Sequence, residues 1–338
     1  MDSALRVMAA LTVSAASTSA GAPALPALSD IAAAHARVAP HVHRTPVMAS
    51  RSLDALAGAR LYFKCENFQK VGAFKARGAT NAVFSLSDDE ARRGVVTHSS
   101  GNHGAALAYA AARRGIRAWV VMPETAPRIK QDNVRGFGAT IRFCAPTPQA
   151  RAAACDEVQR ETGATLIHPY DDARVIAGQG TAALELLEDV PDLDAIVAPV
   201  GGGGLLSGTA IAAKGVRPAV RVYGAEPANA DDAWRSFASG RVEPVNPATT
   251  IADGLRTPLC PRTLAALRAN VDAIGLASEA GVVAAMRATW ERMKIVIEPS
   301  SAVPLAALVE RTLDLAGARV GIVLSGGNVD CDRLPWQP

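Results

Sequence analysis

The sequence predicts an α/β protein made of two doubly wound open-sheet domains, and three observations carry that prediction. From about residue 95, short apolar runs alternate with longer segments of helical character, the pattern of parallel βαβ units. Hydrophobic residues make up 49% of the 338 residues but aromatics only 4%, so the core is built of Ala, Val, Leu and Ile, which suits helices packed on a buried parallel sheet. Three glycine-containing loops stand just past apolar runs, where open sheets place their ligands.

Taken in order, "VVTHS" reads as a buried strand and "SGNHGAALAYAAARRG" as a helix closed by Gly115. "RAWVVMP" and "ATIRFC" are the next strands, each followed by a helix, "APRIKQDNVRGFG" and "TPQARAAACDEVQRETG", and "ATLIHPY" ends the set. The alternation resumes with "VIAGQGTAALELLEDV" as helix, "DAIVAPV" as strand, a helix opened by "GGGGLLSG", and the strand "RVYGAEP". Near the C-terminus "EAGVVAAMRATWERMKIV" is helical and "ARVGIVLSGGN" begins as a strand. No repeat of fixed period is visible.

Composition excludes several classes. A formal net charge of +3, dispersed along the chain, argues against nucleic-acid or anionic-membrane partners. No apolar run approaches the length of a bilayer span. Cys65, Cys144, Cys155, Cys260 and Cys331 form no CxxC pair and read as reduced thiols in a cytoplasmic protein. Residues 1–27 are rich in Ala, Ser, Thr and Pro. Their short apolar centre faintly resembles a secretory signal, but Asp2 and the alanine dilution favour a disordered tail or an over-long start.

The segment "FQKVGAFKARGATN" sets Lys75 between Phe74 and two small-residue turns at Gly72 and Gly78. It is either an ordinary lysine at a helix start or an amine held ready to form a Schiff base. The run Gly201, Gly202, Gly203, Gly204 follows a strand and leads into a helix, so backbone N–H groups and the helix dipole make a phosphate cradle. It has neither a P-loop lysine nor the dinucleotide spacing. "HSSGNHG" and "LSGGN" each place hydroxyl and amide groups past a strand. The three loops together suit a ligand with a phosphate, a ring nitrogen and a polar ring oxygen.

With these motifs in order, joined by "HPYDDARVIAGQGTAALE", "GAEPANADDA", "TIADGL" and "WERMKIVIEPS", the chain from about residue 29 to 330 resembles the serine racemase and serine/threonine dehydratase group of pyridoxal-phosphate enzymes. That resemblance implies the tryptophan-synthase-β fold, fold type II. Residues 28–92 and 168–338 would form the large cofactor-binding domain and 93–167 the small one. It also implies a pyridoxal 5'-phosphate cofactor bound through Lys75 and flanked by Phe74. Gly201 to Gly204 with the N–H of Leu205 would hold the phosphate, Asn102 the ring hydroxyl and Ser325 the pyridine nitrogen. Ser99, Asn102 and His103 would meet the substrate carboxylate. Ser100 would make racemisation chemically possible, or be one more loop hydroxyl. Glu226, Asp232 and the carbonyl of Ala230 would bind Mg²⁺, Ca²⁺ or Mn²⁺, oxygen ligands being what such ions take, although acids are also welcome in a first helical turn.

The expected activity is an ammonia-lyase that turns small β-hydroxy amino acids, L-serine or L-threonine by default, into a 2-keto acid and ammonia. The rivals are 3-hydroxyaspartate dehydratase, serine racemase proper, a β-replacement synthase and a ligand-binding protein of the same fold. Tyr170, Arg256, Thr257 and Arg151 mark the expected substrate side. An arginine near the β-carbon would suit a β-carboxylate, or else serve domain closure. The chain ends soon after "LSGGNVD", so no regulatory domain is expected. A homodimer is what the family suggests, and His35, His41 and His43 read as a solvated helix and turn rather than a metal cluster.

Overall fold

The computed structural model describes residues 24–99, 101–126, 128–246 and 249–337. Ser100 and most of the proposed N-terminal tail lie outside the described residues. The strands are β1 (Val47–Met48), β2 (Arg60–Cys65), β3 (Val95–His98), β4 (Ala118–Pro123), β5 (Thr140–Cys144), β6 (Thr165–Leu166), β7 (Ala195–Pro199), β8 (Arg221–Pro227), β9 (Ala273–Ala277) and β10 (Arg319–Leu324). They form a six-stranded sheet in the order β1-β2-β10-β7-β8-β9 and a four-stranded sheet in the order β5-β4-β3-β6. Every pairing is parallel except β1 with β2. Helices supply the crossovers, as parallel strands require.

The larger sheet is buried on both faces, and its strands are correspondingly near-continuous apolar runs: β7, "AIVAP", is buried at every position. One face packs on the helix Pro299–Val309 with Leu305 and Leu308 and on the helix Glu279–Met293 with Met286. The other packs on the helix Gly204–Val216 with Leu206 and Ala210. A separate cluster around Val95, Leu107, Val120 and Met122 serves the smaller sheet.

Between the sheets lies the helix Lys75–Phe84, packed on the helices Asn102–Arg114 and Ala173–Asp189. Glycine sets the distance there, since a Cβ on Gly178 would come within 2.6 Å of the Gly78 Cα. The helix beginning at Glu279 ends at Met293 rather than running on to Val296, because Lys294 turns left-handed at φ 60°. The chain then extends through "IVIE" toward the glycine loop after β10. The helix Leu28–Val38 carries His35, while His41 beyond it stacks on Phe84 at 4.0 Å. His35 and His41 therefore sit in separate, partly buried surroundings.

Candidate active site

Lys75 opens its helix after a 3₁₀ turn, Lys70–Gly72, in which Val71 holds φ at 56°. Just before it, the Phe74 N–H donates to the Ser325 carbonyl at 2.9 Å and Ala73 bridges Gly326. The lysine is thus tied to the loop that follows β10. Its Nζ donates to the Pro169 carbonyl at 3.0 Å and stands 5.0 Å from the centre of the Phe74 ring. Burial lowers its pKa to about 8, against a rise from the charge of Glu298. The positive end of its own helix acts in the same direction as burial. The result is an amine whose neutral form, the one a nucleophile or base needs, is far more populated near physiological pH than that of a solvated lysine.

Behind the lysine a buried ionic cluster fixes the helix. Arg77 is fully buried and donates to Glu66 at 2.7 and 2.9 Å and to Glu185 at 2.7 and 2.8 Å. Lys64 completes it, 2.6 Å from Glu185. Two cations and two anions balance, and the paired forks satisfy the desolvated guanidinium.

The glycine run after β7 forms the second wall. Gly203 caps the helix Gly204–Val216 at φ 84°, a conformation glycine adopts without strain. A Cβ on Gly202 would lie 2.4 Å from the Tyr170 ring, so only glycine leaves this surface open. The Gly202 N–H donates to Thr257 Oγ1 at 3.0 Å, and Leu205 follows within the first turn. Backbone donors at a helix start, with no side chain to obstruct them, fit a phosphate. Ser325, 3% exposed, shares a hydroxyl contact of 3.1 Å with Ser301. That is a neutral partner suited to an uncharged ring nitrogen.

Asn102 begins the helix Asn102–Arg114 and faces across to the large sheet, donating to both oxygens of Glu298 at 3.1 and 3.2 Å. Reading the motifs alone assigned Glu298 no role. Its signal was an acid at the end of the apolar "IVIE", where nothing but burial awaits it. Its exposure is 4%, and burial pushes its pKa up to about 7. A cleft of about 240 Å³ opens beside Asn102 and Asn328, with Lys130 and Phe137 on the far side. Lys130 crosses the cleft to Asp253 at 3.1 Å.

The expected substrate residues do not all converge. Ser99 accepts from the Gly101 N–H at 3.3 Å within its own loop. His103 is buried with Nε2 3.1 Å from the Ile167 carbonyl, and burial holds its pKa well below the usual value, so it is neutral. Tyr170 and Thr257 stand at the glycine cradle. Arg256 turns back on its own loop, its Nε donating to the Thr250 carbonyl at 3.0 Å. Arg151, half-buried on the helix Pro148–Thr162, lies near His98, whose pKa is lowered first by burial and further by the Arg151 charge. His98 is in turn in edge contact with His168, at 5.1 Å. Among the described residues Arg151 enters none of the ion pairs.

At the far end of β8, Glu226 accepts from the backbone N–H groups of Ala233 and Trp234 at 2.9 and 2.8 Å, while both oxygens of buried Asp232 have no partner among the described residues. Burial raises Glu226 to about 9 and Asp232 to about 7, and Asp232 adds to the rise on Glu226. Ala230 is buried beside them in the turn Ala228–Ala230. Among the described residues no group of three or more His, Cys, Asp or Glu converges, so a cation here would need carbonyl and water ligands.

A two-sheet α/β fold with a low-pKa lysine, a helix-start glycine cradle and a neutral hydroxyl seat defines an enzyme that works through a phosphorylated, carbonyl-bearing cofactor. The chain belongs to the pyridoxal-phosphate dependent enzyme family, which it matches over residues 38–326. It is 52% identical over 313 residues to the β-hydroxyaspartate dehydratase of Paracoccus denitrificans (strain Pd 1222), covering 93% of this chain and 99% of that one. The crystal structure of serine racemase from Dictyostelium discoideum is similar at a TM-score of 0.87 and 50% identity, over 91% of this chain and 100% of the other. The structure of maize serine racemase gives 0.89 and 47%, over 91% and 95%. Among the described residues no helix is long and apolar enough to cross a membrane.

Proposed function

We propose that this enzyme is an ammonia-lyase that eliminates the hydroxyl of a small β-hydroxy amino acid and releases a 2-keto acid and ammonia. The observation that carries the reading is Lys75, a poised amine at the junction of the glycine cradle, the Asn102 loop and the Ser325 seat. When bound, pyridoxal phosphate supplies the electron sink that makes the Cα–H bond of an amino acid acidic. Lys75 would hold the cofactor, and its amine is placed to act as the base for the Cα proton. Gly201 to Gly204 and the Leu205 N–H bind the phosphate, Asn102 the ring hydroxyl, and Ser325 the ring nitrogen. Ser325 would offer that nitrogen a neutral hydroxyl rather than a carboxylate. The substrate carboxylate would meet the loop of Ser99, Asn102 and His103 through the backbone N–H groups that open the helix Asn102–Arg114, since the Ser99 and His103 side chains are engaged elsewhere.

A second reading, that the substrate carries a β-carboxylate as in 3-hydroxyaspartate, is favoured by Arg151, whose guanidinium stands near His98 and enters no ion pair among the described residues. The 52% identity to a β-hydroxyaspartate dehydratase supports it. Arg256 supports it less, being spent on Thr250. Racemisation rests on Ser100 and is the alternative.

Glu226, Asp232 and the Ala230 carbonyl hold a divalent cation, Mg²⁺ by default, with Ca²⁺ or Mn²⁺ as alternatives. Two buried acids without a cation partner are otherwise costly. The working unit is a cytoplasmic homodimer, with residues 28–92 and 168–338 as the large domain and 93–167 as the small one.

The test is 2-keto acid release from equal concentrations of L-serine, L-threonine and L-threo-3-hydroxyaspartate with Mg²⁺, for the natural chain and for Arg151→Ala. Pyruvate or 2-oxobutyrate as main product fixes the default substrates. Oxaloacetate that Arg151→Ala removes selectively fixes the diacid. No keto acid from any substrate, with D-serine formed from L-serine, overturns the lyase reading in favour of racemisation.

A further inference from the structure

Glu298 is the N-cap residue of the helix Pro299–Val309, yet its carboxyl makes no capping bond to that helix. A short polar side chain at this position ordinarily accepts from an N–H of the first turn. Here both its oxygens turn across the cleft to Asn102 Nδ2 instead. The Asn102 Oδ1 meanwhile accepts from Asn328 Nδ2 at 2.9 Å, and Asn328 also donates to the Val71 carbonyl at 2.8 Å. With its oxygen engaged by one partner and its nitrogen by another, the Asn102 amide has a single orientation. One N–H of Nδ2 remains for a further acceptor.

The groups facing the Glu298 carboxyl come from three other elements: Lys75 on its helix, Lys130 on the helix Arg128–Gly136, and Asp253 in the turn Asp253–Leu255. Gly326, whose backbone accepts the Glu298 N–H at 3.0 Å, leaves no room behind it, since a Cβ there would lie 2.6 Å from Oε1. The carboxyl is therefore enclosed, aimed, and next to the reactive lysine.

We propose that Glu298 is a positioning residue that locks the Asn102 amide with an N–H toward the ring hydroxyl of the cofactor, so that the charge on Glu298 is felt in the cofactor's electronic state. The inference rests on the assignment of Asn102 to that hydroxyl. With the carboxyl ionised, the amide is held as a donor on the ring side. With it protonated, the carboxyl's own O–H competes for a partner and the lock loosens.

The experiment is the visible absorption spectrum of the pyridoxal-phosphate-loaded enzyme from pH 6 to 9, for the natural chain, Glu298→Gln and Asn102→Ala, with cofactor content measured after alkaline release. Glutamine keeps the volume and an acceptor for Asn102 but removes the ionisation, so a merely structural role predicts no change. The expected result is a pH-dependent step in the natural enzyme that Glu298→Gln loses while retaining cofactor within twofold. Asn102→Ala, which leaves Glu298 in place, loses the same step. An unchanged step in both variants overturns the inference while leaving the cofactor assignment standing. A natural enzyme with no visible cofactor band overturns the Lys75 assignment and the inference together.

Discussion

Gly202→Ala tests the cradle most directly. The added methyl would meet Tyr170 Cδ1, Cε1 and Cγ at 2.4, 2.5 and 2.6 Å. Ordinary carbon–carbon contact begins about 1 Å farther out, near ~3.5 Å. The ring must therefore move, and overpacking of this kind costs about 1–3 kcal/mol. The methyl also projects over the backbone donors that would meet a phosphate. If that whole cost falls on binding, the affinity for pyridoxal phosphate drops by about 5- to 150-fold, at ~1.4 kcal/mol per factor of ten. Fluorescence titration of the cofactor-free protein reads this number, and thermal unfolding of the same preparation shows whether the fold has suffered as well. A companion, Gly202→Ala with Tyr170→Ala, separates the two effects. Removing the ring relieves the clash and returns the part of the affinity lost to it, while the part lost to the methyl over the backbone donors stays lost. The reasoning is refuted if Gly202→Ala binds the cofactor within twofold of the natural chain, or if the double variant recovers affinity in full.

Three further expectations follow from the geometry. Arg77→Met leaves Glu66 and Glu185 buried with only Lys64 to compensate, so urea unfolding should show a loss of about 3–5 kcal/mol; a change under ~1 kcal/mol contradicts the pairing described. Asp232 and Glu226 have raised folded pKa values, so without a cation the protein is most stable when both are protonated. Its melting temperature in chelator should fall by a few degrees as pH rises from about 5 to 9, and excess Mg²⁺ should abolish that slope. Lys75 reacts as the free amine, so the rate at which cofactor-free protein takes up pyridoxal phosphate should climb with pH through about 8 and then level off. Replacing Glu298 with glutamine removes a charge that raises the lysine pKa and should move that midpoint downward.

Much of the fold was legible because its buried parallel strands are short apolar runs with glycine or proline punctuation. "DAIVAPV" and "ARVGIVLSGGN" could hardly be read otherwise, and β7 and β10 lie where these runs stand. β9, "AIGLA", escaped notice because five residues, three of them Ala or Gly, carry little periodicity, and the strand is specified by its neighbour β8 more than by itself. The overlong helix at "MKIV" was missed because a left-handed lysine leaves no compositional mark.

In the site, the local motifs announced Lys75 and the glycine run. What the sequence could not show was which distant groups meet. Glu298 and Asn102 are 196 positions apart. Nothing local to Arg77 marks it as buried, and its burial depends on acids at positions 66 and 185. Arg256 was read by its position near "TIADG", and only three-dimensional packing shows it folded back on Thr250.

The strand order of the larger sheet has a consequence for how the enzyme is made. β10 is the final strand in the chain, yet it lies between β2 and β7 and joins the halves of the sheet. The smaller sheet uses only residues 95–166 and closes from neighbouring segments as soon as they emerge during synthesis. The larger one waits for residues 319–324. Ser325 and the carbonyl that ties down Phe74 arrive with that strand, so the lysine and the glycine cradle are not brought together until it has been made. A nascent or C-terminally shortened chain carries every motif of the site up to the missing strand and still has no place to hold the cofactor.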